Sequence, residues 1–504
     1  MMKKILYLAI SLSLLSSCDM DLDQQPISAA SSETYFQTIG DFTQGLNAIY
    51  SAAREYPDRL MNLAETRSDN LFAVSDGGVR DWEGINSFHR NILSNPYVIE
   101  AWQTDFMGIF RANNYLEQLT TKGEAVIIDT DLRRRMEGEV RFLRAFYYFD
   151  LIRYFGRVPL IDRVVSANEA KTIPRSAVSE IYSLILSDLN LAVDYLPAPS
   201  AYADQDKGRV NKYAAKMLLG LVYMTRSGPD LGVDGAGLNT NEWGEAVKQF
   251  DEIIASNEFQ FLPTYTEIFD YNNERNKEVI FNIEYSSGAS PVVGATFPWV
   301  LVPDTWFQSL GFGTQGGLTI RPVSKNLLDK YEEDDVRRSF SIQEGYVYNT
   351  NVEENRPFIK KFVDITKVPT TSRMDWPINY IVYRYTDLLM LKAECVLNGA
   401  PGSTVTDVDA VVNAVRERAG LSSTLTGVTK GQLLEERRRE FIGEGSRWFD
   451  LIRSGTVEAT IKSWIAAEDS GGQMEDFKIE YVLYPVPQSE MSNAPGLYEQ
   501  NRGY

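Results

Sequence analysis

Apolar residues recur at spacings of three and four along most of the chain, a pattern that predicts helices. After Asn95-Pro96, Trp102, Phe106, Ile109, Asn113 and Leu116 share one face. From Met136 onward Val140, Leu143, Tyr147 and Leu151 do the same, while Phe142, Phe146 and Phe149 cover a second face. A helix apolar on two faces is sandwiched between neighbours rather than laid on a surface. Gly156, with Pro159 beyond it, marks its end. Further helices are expected over residues 178–196, 211–226, 242–256, 381–398, 406–419 and 431–442.

The middle of the chain has a different grain. Residues 266–375 are rich in Gly, Pro, Asn and aromatics and show little helical period. Val279, Phe281, Ile283 and Tyr285 alternate like a strand, as do Phe358, Lys360 and Phe362 less clearly, and Phe477, Ile479, Tyr481 and Leu483 near the end. The reading is therefore mainly α: a helical scaffold over 41–265 and 376–455, a loop-rich excursion over 266–375, and a C-terminal strand and tail over 456–504. In the 242–256 segment Trp243, Ala246, Phe250 and Ile253 stand in register, a small-plus-aromatic pattern similar to that of tetratricopeptide helix pairs. Short connections favour antiparallel neighbours. Long loops on a rigid scaffold are where binding sites usually sit.

The N-terminus adds an address. Lys3 and Lys4 precede an apolar stretch, Ile5 to Leu15, too short to span a bilayer, and Leu15-Ser16-Ser17-Cys18 reads as a lipobox. Residues 1–17 are expected to be a lipoprotein signal peptide, Cys18 the lipidated residue, and 18–40 a linker to a single domain over 41–504. Acyl chains on Cys18 would anchor the protein to a membrane surface. No second apolar stretch is long enough to span, so the chain is expected to be anchored, not inserted. Asp19, Asp21 and Asp23 follow the cysteine directly and resemble acidic surface-export signals, while an aspartate next to the cysteine can instead retain a lipoprotein at the inner membrane.

Charge and cysteine content narrow the chemistry. The full chain carries −19, with 50 basic and 69 acidic residues. Removing the signal takes two lysines and no acids, leaving a mature charge of about −21. That balance argues against nucleic acid and polyanionic ligands. Cys395 is the one cysteine besides Cys18, so the mature chain can form no internal disulfide framework, and a buried small apolar role is expected for it.

No catalytic site is legible. His89 is the only histidine, which excludes His-based triads and His-rich metal sites. Acidic residues are too numerous for any pair to stand out as a glycosidase couple. Gly311 to Gly316 spells a dinucleotide pattern by letters alone, without the strand and helix it requires, and is read as a loop. Asp19, Asp21 and Asp23 lack the glycine and glutamate of a calcium loop. No cofactor and no metal are expected.

A run of motifs resembles the SusD/RagB family in order over nearly the whole mature chain. Glu139 to Leu151 followed by Phe155-Gly156-Arg157-Val158-Pro159-Leu160 is similar to that family's central helix, and Trp102 with Arg111 to Asn114 to the helix before it. Gly208 to Ala215, Asn273-Glu274 with Glu278 to Phe281, Arg384 to Met390 and Asn413 to Gly420 continue the series. Glu436-Arg437-Arg438 with Glu444 to Arg453, Tyr484-Pro485-Val486-Pro487 and Gln500 to Tyr504 complete it. Most of these motifs are structural: Glu436, Arg437, Arg447, Asp450 and Arg453 are expected to form a partly buried charge network fixing helix register.

The resemblance implies an outer-membrane lipoprotein facing the cell exterior, partnered with a SusC-like TonB-dependent transporter. Tethering a weak binder beside an importer raises the effective ligand concentration. It also implies a ligand site in early loops and the irregular middle, which here hold Arg67, Asp69, Asn70 and Trp82, then Trp299, Trp306 and Trp376. Aromatic rings pack against sugar C–H faces while polar side chains take the hydroxyls. Trp82 stands among Gly77, Gly78, Asp81 and Gly84, a polar setting for a tryptophan, whereas Trp102, Trp243 and Trp448 are expected in the core. Three readings remain open at this point: an oligosaccharide binder, a RagB-like peptide binder, or a scaffold that completes its transporter.

Overall fold

The computed structural model describes residues 35–74, 80–313, 319–348, 352–369 and 372–504. The expected signal peptide and lipobox, Cys18 and the acidic run lie outside the described residues, as does part of the Gly311–Gly316 pattern.

The periodic segments form the expected helices, and consecutive ones pack side by side. Ile39–Ala52, a helix the periodicity did not mark, lies on Pro96–Val126, which packs on Thr130–Phe155, then Val178–Tyr195, Lys212–Ser227 and Trp243–Ala255 follow in turn. Their ends are set by local chemistry. Asn95, Asp129 and Asn211 each accept backbone N–H bonds from the first turn they precede. The Thr130–Phe155 helix stops at Gly156, and both of its aromatic faces are buried, with Phe142, Leu143, Phe146, Tyr147 and Phe149 all inside. This is the central layer of the scaffold, and Arg144 is held within it by both oxygens of Asp188, at 2.7 and 2.9 Å.

Trp243–Ala255 packs directly on Tyr385–Leu397, a helix that begins 130 residues further on, and Val405–Arg418 and Lys430–Glu440 continue the stack. The intervening chain leaves and returns through an antiparallel pair, Val279–Ile283 against Tyr380–Arg384. Because Tyr380–Arg384 is a strand, the expected 381–398 helix starts only at Tyr385. Its aromatic and β-branched residues find a partner strand there, which local periodicity does not reveal. A hairpin, Ile342–Tyr348 with Val352–Ile359, stands in the same region beside several short helices.

The C-terminal alternation is a correction. Phe477 to Leu483 contains a 3₁₀ turn, Ile479–Val482, and no strand. Its backbone is satisfied elsewhere: Arg67 Nη2 donates to the Tyr481 carbonyl at 2.9 Å, and Tyr484 N–H to the Tyr154 carbonyl at 2.7 Å. Alternation here reflects which residues face the core, not sheet pairing. The Phe358-Lys360-Phe362 pattern likewise ends early, with the strand closing at Ile359. Among the described residues no helix is long and apolar enough to cross a membrane.

Candidate functional site

The helical stretch Tyr56–Glu65 is the spine of the site. Its second half, Leu60–Glu65, is wound as a π-helix, with Thr66 N–H reaching back five residues to the Met61 carbonyl at 3.2 Å. Such wide turns recur at functional positions. Asp58, Asn62 and Thr66 follow at spacings of four, and each of them holds a piece of the site.

Arg321 comes from the distant excursion to lie against this spine. It donates Nη1 to Thr66 Oγ1 at 3.0 Å and Nη2 to Asn62 Oδ1 at 2.8 Å. Its guanidinium sits 4.5 Å above the Trp82 ring and 5.9 Å from that of Tyr97. A desolvated cation–π contact of this kind contributes about 2 kcal/mol. Burial pulls the Arg321 pKa below the ordinary arginine range. Trp82 itself remains half-buried on the Asp81–Asn86 helix. That helix is tied to the spine by Asn86, whose Nδ2 donates to the Thr66 and Leu71 carbonyls at 2.7 and 2.9 Å.

Trp299 is built in the same way on the other part of the spine. It lies on the short Phe297–Val300 helix, which packs on Tyr56–Arg59 and Leu60–Glu65. Its Nε1 donates to Asp304 Oδ1 at 2.8 Å, and the Arg373 guanidinium stacks 4.1 Å from its ring while pairing with Asp304. Thr296, just before that helix, donates its hydroxyl to Asp58 Oδ2. Burial pushes the Asp58 carboxyl up to about 7, against the Thr296 hydrogen bond, with Glu55 and Glu100 adding repulsion. The result is two tryptophans, each with an arginine on its ring and each still partly open to solvent. The other six of the eight are buried.

A profile of the SusD family matches residues 312–504, and one described as starch-binding associating with outer membrane matches residues 22–224. The chain belongs to the SusD family. SusD-like protein P25 of Formosa agariphila is 24% identical over 97% of both chains. Surface glycan-binding protein A from Bacteroides thetaiotaomicron superposes with a TM-score of 0.77 at 24% identity, covering 93% of this chain and 100% of that one. A laminarin binding SusD-like protein gives 0.74 at 25% identity, with the same coverage.

In this SusD-family chain the remaining expected ligand residues lie in the core, and the structure corrects their role. Arg67 is fully buried; it donates to the carbonyls of Ile85 and Tyr481 and to Tyr504 Oη, packed among Phe88, Trp448 and Tyr484. Asp69 receives Arg447 through two bonds, at 2.8 and 2.9 Å, with Arg438 at 3.1 Å. Burial opposes its charge, yet the two guanidinia hold its carboxyl down at about 2. Asn70 bridges Glu65 and Arg438, at 2.9 and 3.0 Å. Glu65 in turn accepts the backbone N–H groups of Gly443 and Gly445, both at 3.0 Å. Those two residues have φ of +75° and +72°, a region open to glycine at little strain. This early segment therefore presents no polar surface to a ligand; it locks the spine to the C-terminal helices.

Trp306 and Trp376 are buried as well. Trp306 packs on Phe307 and Phe358. Trp376 exchanges backbone bonds with Ala295 and donates Nε1 to the Arg373 carbonyl, so it pins the two segments that bring Trp299 and Arg373 together. Trp102, Trp243 and Trp448 are in the core, as is Cys395, whose thiol burial pushes up. The charge network expected around Glu436 to Arg453 is present: Arg437 to Asp450 at 2.9 Å, Arg453 to Asp450 and Glu394 at 2.7 Å, Arg337 to Glu436 at 2.7 Å. Arg321, Arg373, Asp58 and Thr296 were not singled out by sequence, and no local pattern marks them. Among the described residues no cluster of three or more His, Cys, Asp or Glu is arranged to hold a metal.

Proposed function

We propose that this protein is a surface glycan-binding lipoprotein that captures oligosaccharides and delivers them to a SusC-like TonB-dependent transporter. The observation that carries the reading is the pair of half-buried tryptophans, Trp82 and Trp299, each rigidified by an arginine against its ring. A held ring offers C–H packing to a pyranose without the entropy loss of ordering a loose side chain. The family profile described as starch-binding and the laminarin binding relative point to the same ligand class. Acylated Cys18 would place the site at the outer membrane.

Calorimetric titration of soluble protein beginning after Cys18, against neutral oligosaccharides and a peptide mixture, tests this. Binding to a glycan that Trp82→Ala or Trp299→Ala weakens by about tenfold or more supports the reading. Peptide binding without any glycan response, or silence across both panels from folded protein, overturns it.

A further inference from the structure

A cleft of about 920 Å³ opens in the 266–365 region, lined by neither partly exposed tryptophan. Its walls are the Val336–Ser341 helix, the first hairpin strand, residues 360–365 and the Asp304–Ser309 helix. That last helix is shared with the tryptophan site. Asp304 serves Trp299 and Arg373, whereas Trp306, Ser309 and Leu310 line the cleft.

Two half-buried rings, Phe340 and Tyr346, stand in it. Both are held. Phe340 meets Tyr265 edge-on at 5.6 Å, and Tyr346 meets Phe358 at 90° while its hydroxyl is hydrogen-bonded to Thr305. Leu310 and Ile365 add exposed apolar surface.

The polar groups supply both senses of hydrogen bond. Lys360 is half-buried, and among the described residues its ammonium has no carboxylate within ion-pairing distance. Its neighbour Lys361 differs: it turns inward to Glu444, stacked 4.7 Å from Phe269. Burial alone draws the Lys360 ammonium below the usual lysine range, since no acid offsets it. Gln343 and Asp364 contribute acceptors, with Asp364 Oδ1 already taking Thr366 N–H at 2.8 Å. Held rings, an unpaired donor and nearby acceptors suit a polyol that is both donor and acceptor; two aspartates, Asp270 and Asp364, disfavour an acidic one.

We propose that this cleft is a second binding site for a neutral oligosaccharide, with Tyr346 and Phe340 as platforms and Lys360 donating to ring hydroxyls. The proposal rests on the glycan-binding reading above. It makes the protein bivalent along one ligand or for two, which would raise retention without tighter individual contacts.

The test uses the soluble chain beginning after Cys18 with laminarihexaose, maltohexaose and xylohexaose. Hydrogen–deuterium exchange with a saturating binder should show protection at residues 336–346 and 360–365, as well as at 80–83 and 296–301. Lys360→Gln and Tyr346→Ala should each remove the first protection and weaken hexasaccharide binding about tenfold. Lys360→Gln touches a side chain with no ion-pair partner and so keeps the fold. Protection confined to the tryptophan segments, with Lys360→Gln binding as wild type does, overturns the second site alone. Protection of the cleft only by an oligouronate or a peptide overturns the ligand class. Absence of any neutral-glycan binding sinks the functional reading and this one together.

Discussion

The Arg321 guanidinium lies 4.5 Å above the Trp82 ring while two of its nitrogens are taken by Asn62 and Thr66, more than 250 residues earlier in the chain. Arg321 thus works as a clamp: one edge bonded to the spine, one face on the ring. It fixes Trp82 without covering it entirely.

Arg321→Lys keeps the charge but loses the planar fork, which a point-like ammonium does not replace. Glycan affinity should fall about tenfold, with the far-ultraviolet circular dichroism unchanged. Trp82→Ala should fall at least as far. Equal affinity for Arg321→Lys and wild type would show that Trp82 needs no clamp.

Asp69 and its two arginines are expected to carry stability rather than binding. Asp69→Asn leaves Arg447 and Arg438 buried with one anion fewer, a loss of about 3–5 kcal/mol. Urea unfolding measures it. The pH dependence has a definite sign. The folded carboxyl, at about 2, lies below its ordinary 3.8, so its stabilisation is fully present above about pH 4 and is lost as pH falls toward 2. Asp69→Asn should flatten that part of the wild-type profile.

Asp58 should behave in the opposite way. Its folded carboxyl, raised from 3.8 to about 7, binds a proton that the unfolded chain has released. Its contribution to stability is therefore largest below about pH 4 and declines as pH rises through 7. Asp58→Asn, which keeps an acceptor for Thr296, should remove this component. The difference between the two stability profiles from pH 4 to 8 is the measurement; parallel profiles would rule Asp58 out as the titrating group.

Cys395 lies in the core with its thiol pKa pushed up by burial. A maleimide should leave the native protein unlabelled and react at the rate of unfolding in denaturant. Rapid native labelling would contradict the packing of the Tyr385–Leu397 helix.

How far the sequence reached varies from residue to residue. Trp299 and Trp306 both follow a proline closely and sit on short helices, and nothing local separates them. Trp306 is buried by Phe307 and Phe358, whereas Trp299 is held half-open by Arg373 and Asp304. Arg67 and Arg321 show the same limit in reverse. Arg67 lies among the early residues that the family resemblance favours and is wholly internal; Arg321 carries no motif and shapes the site.

By itself the sequence determined most of the scaffold helices, the two-faced burial of the central one and its stop at Gly156, because helical period and end chemistry are local properties. Motif order also carried the family. Which tryptophans face solvent, which arginine clamps them and which aspartate is left with a raised pKa were decided only by tertiary structure. Those properties depend on segments hundreds of residues apart meeting on the Tyr56–Glu65 spine, where burial and stacking arise from the meeting itself.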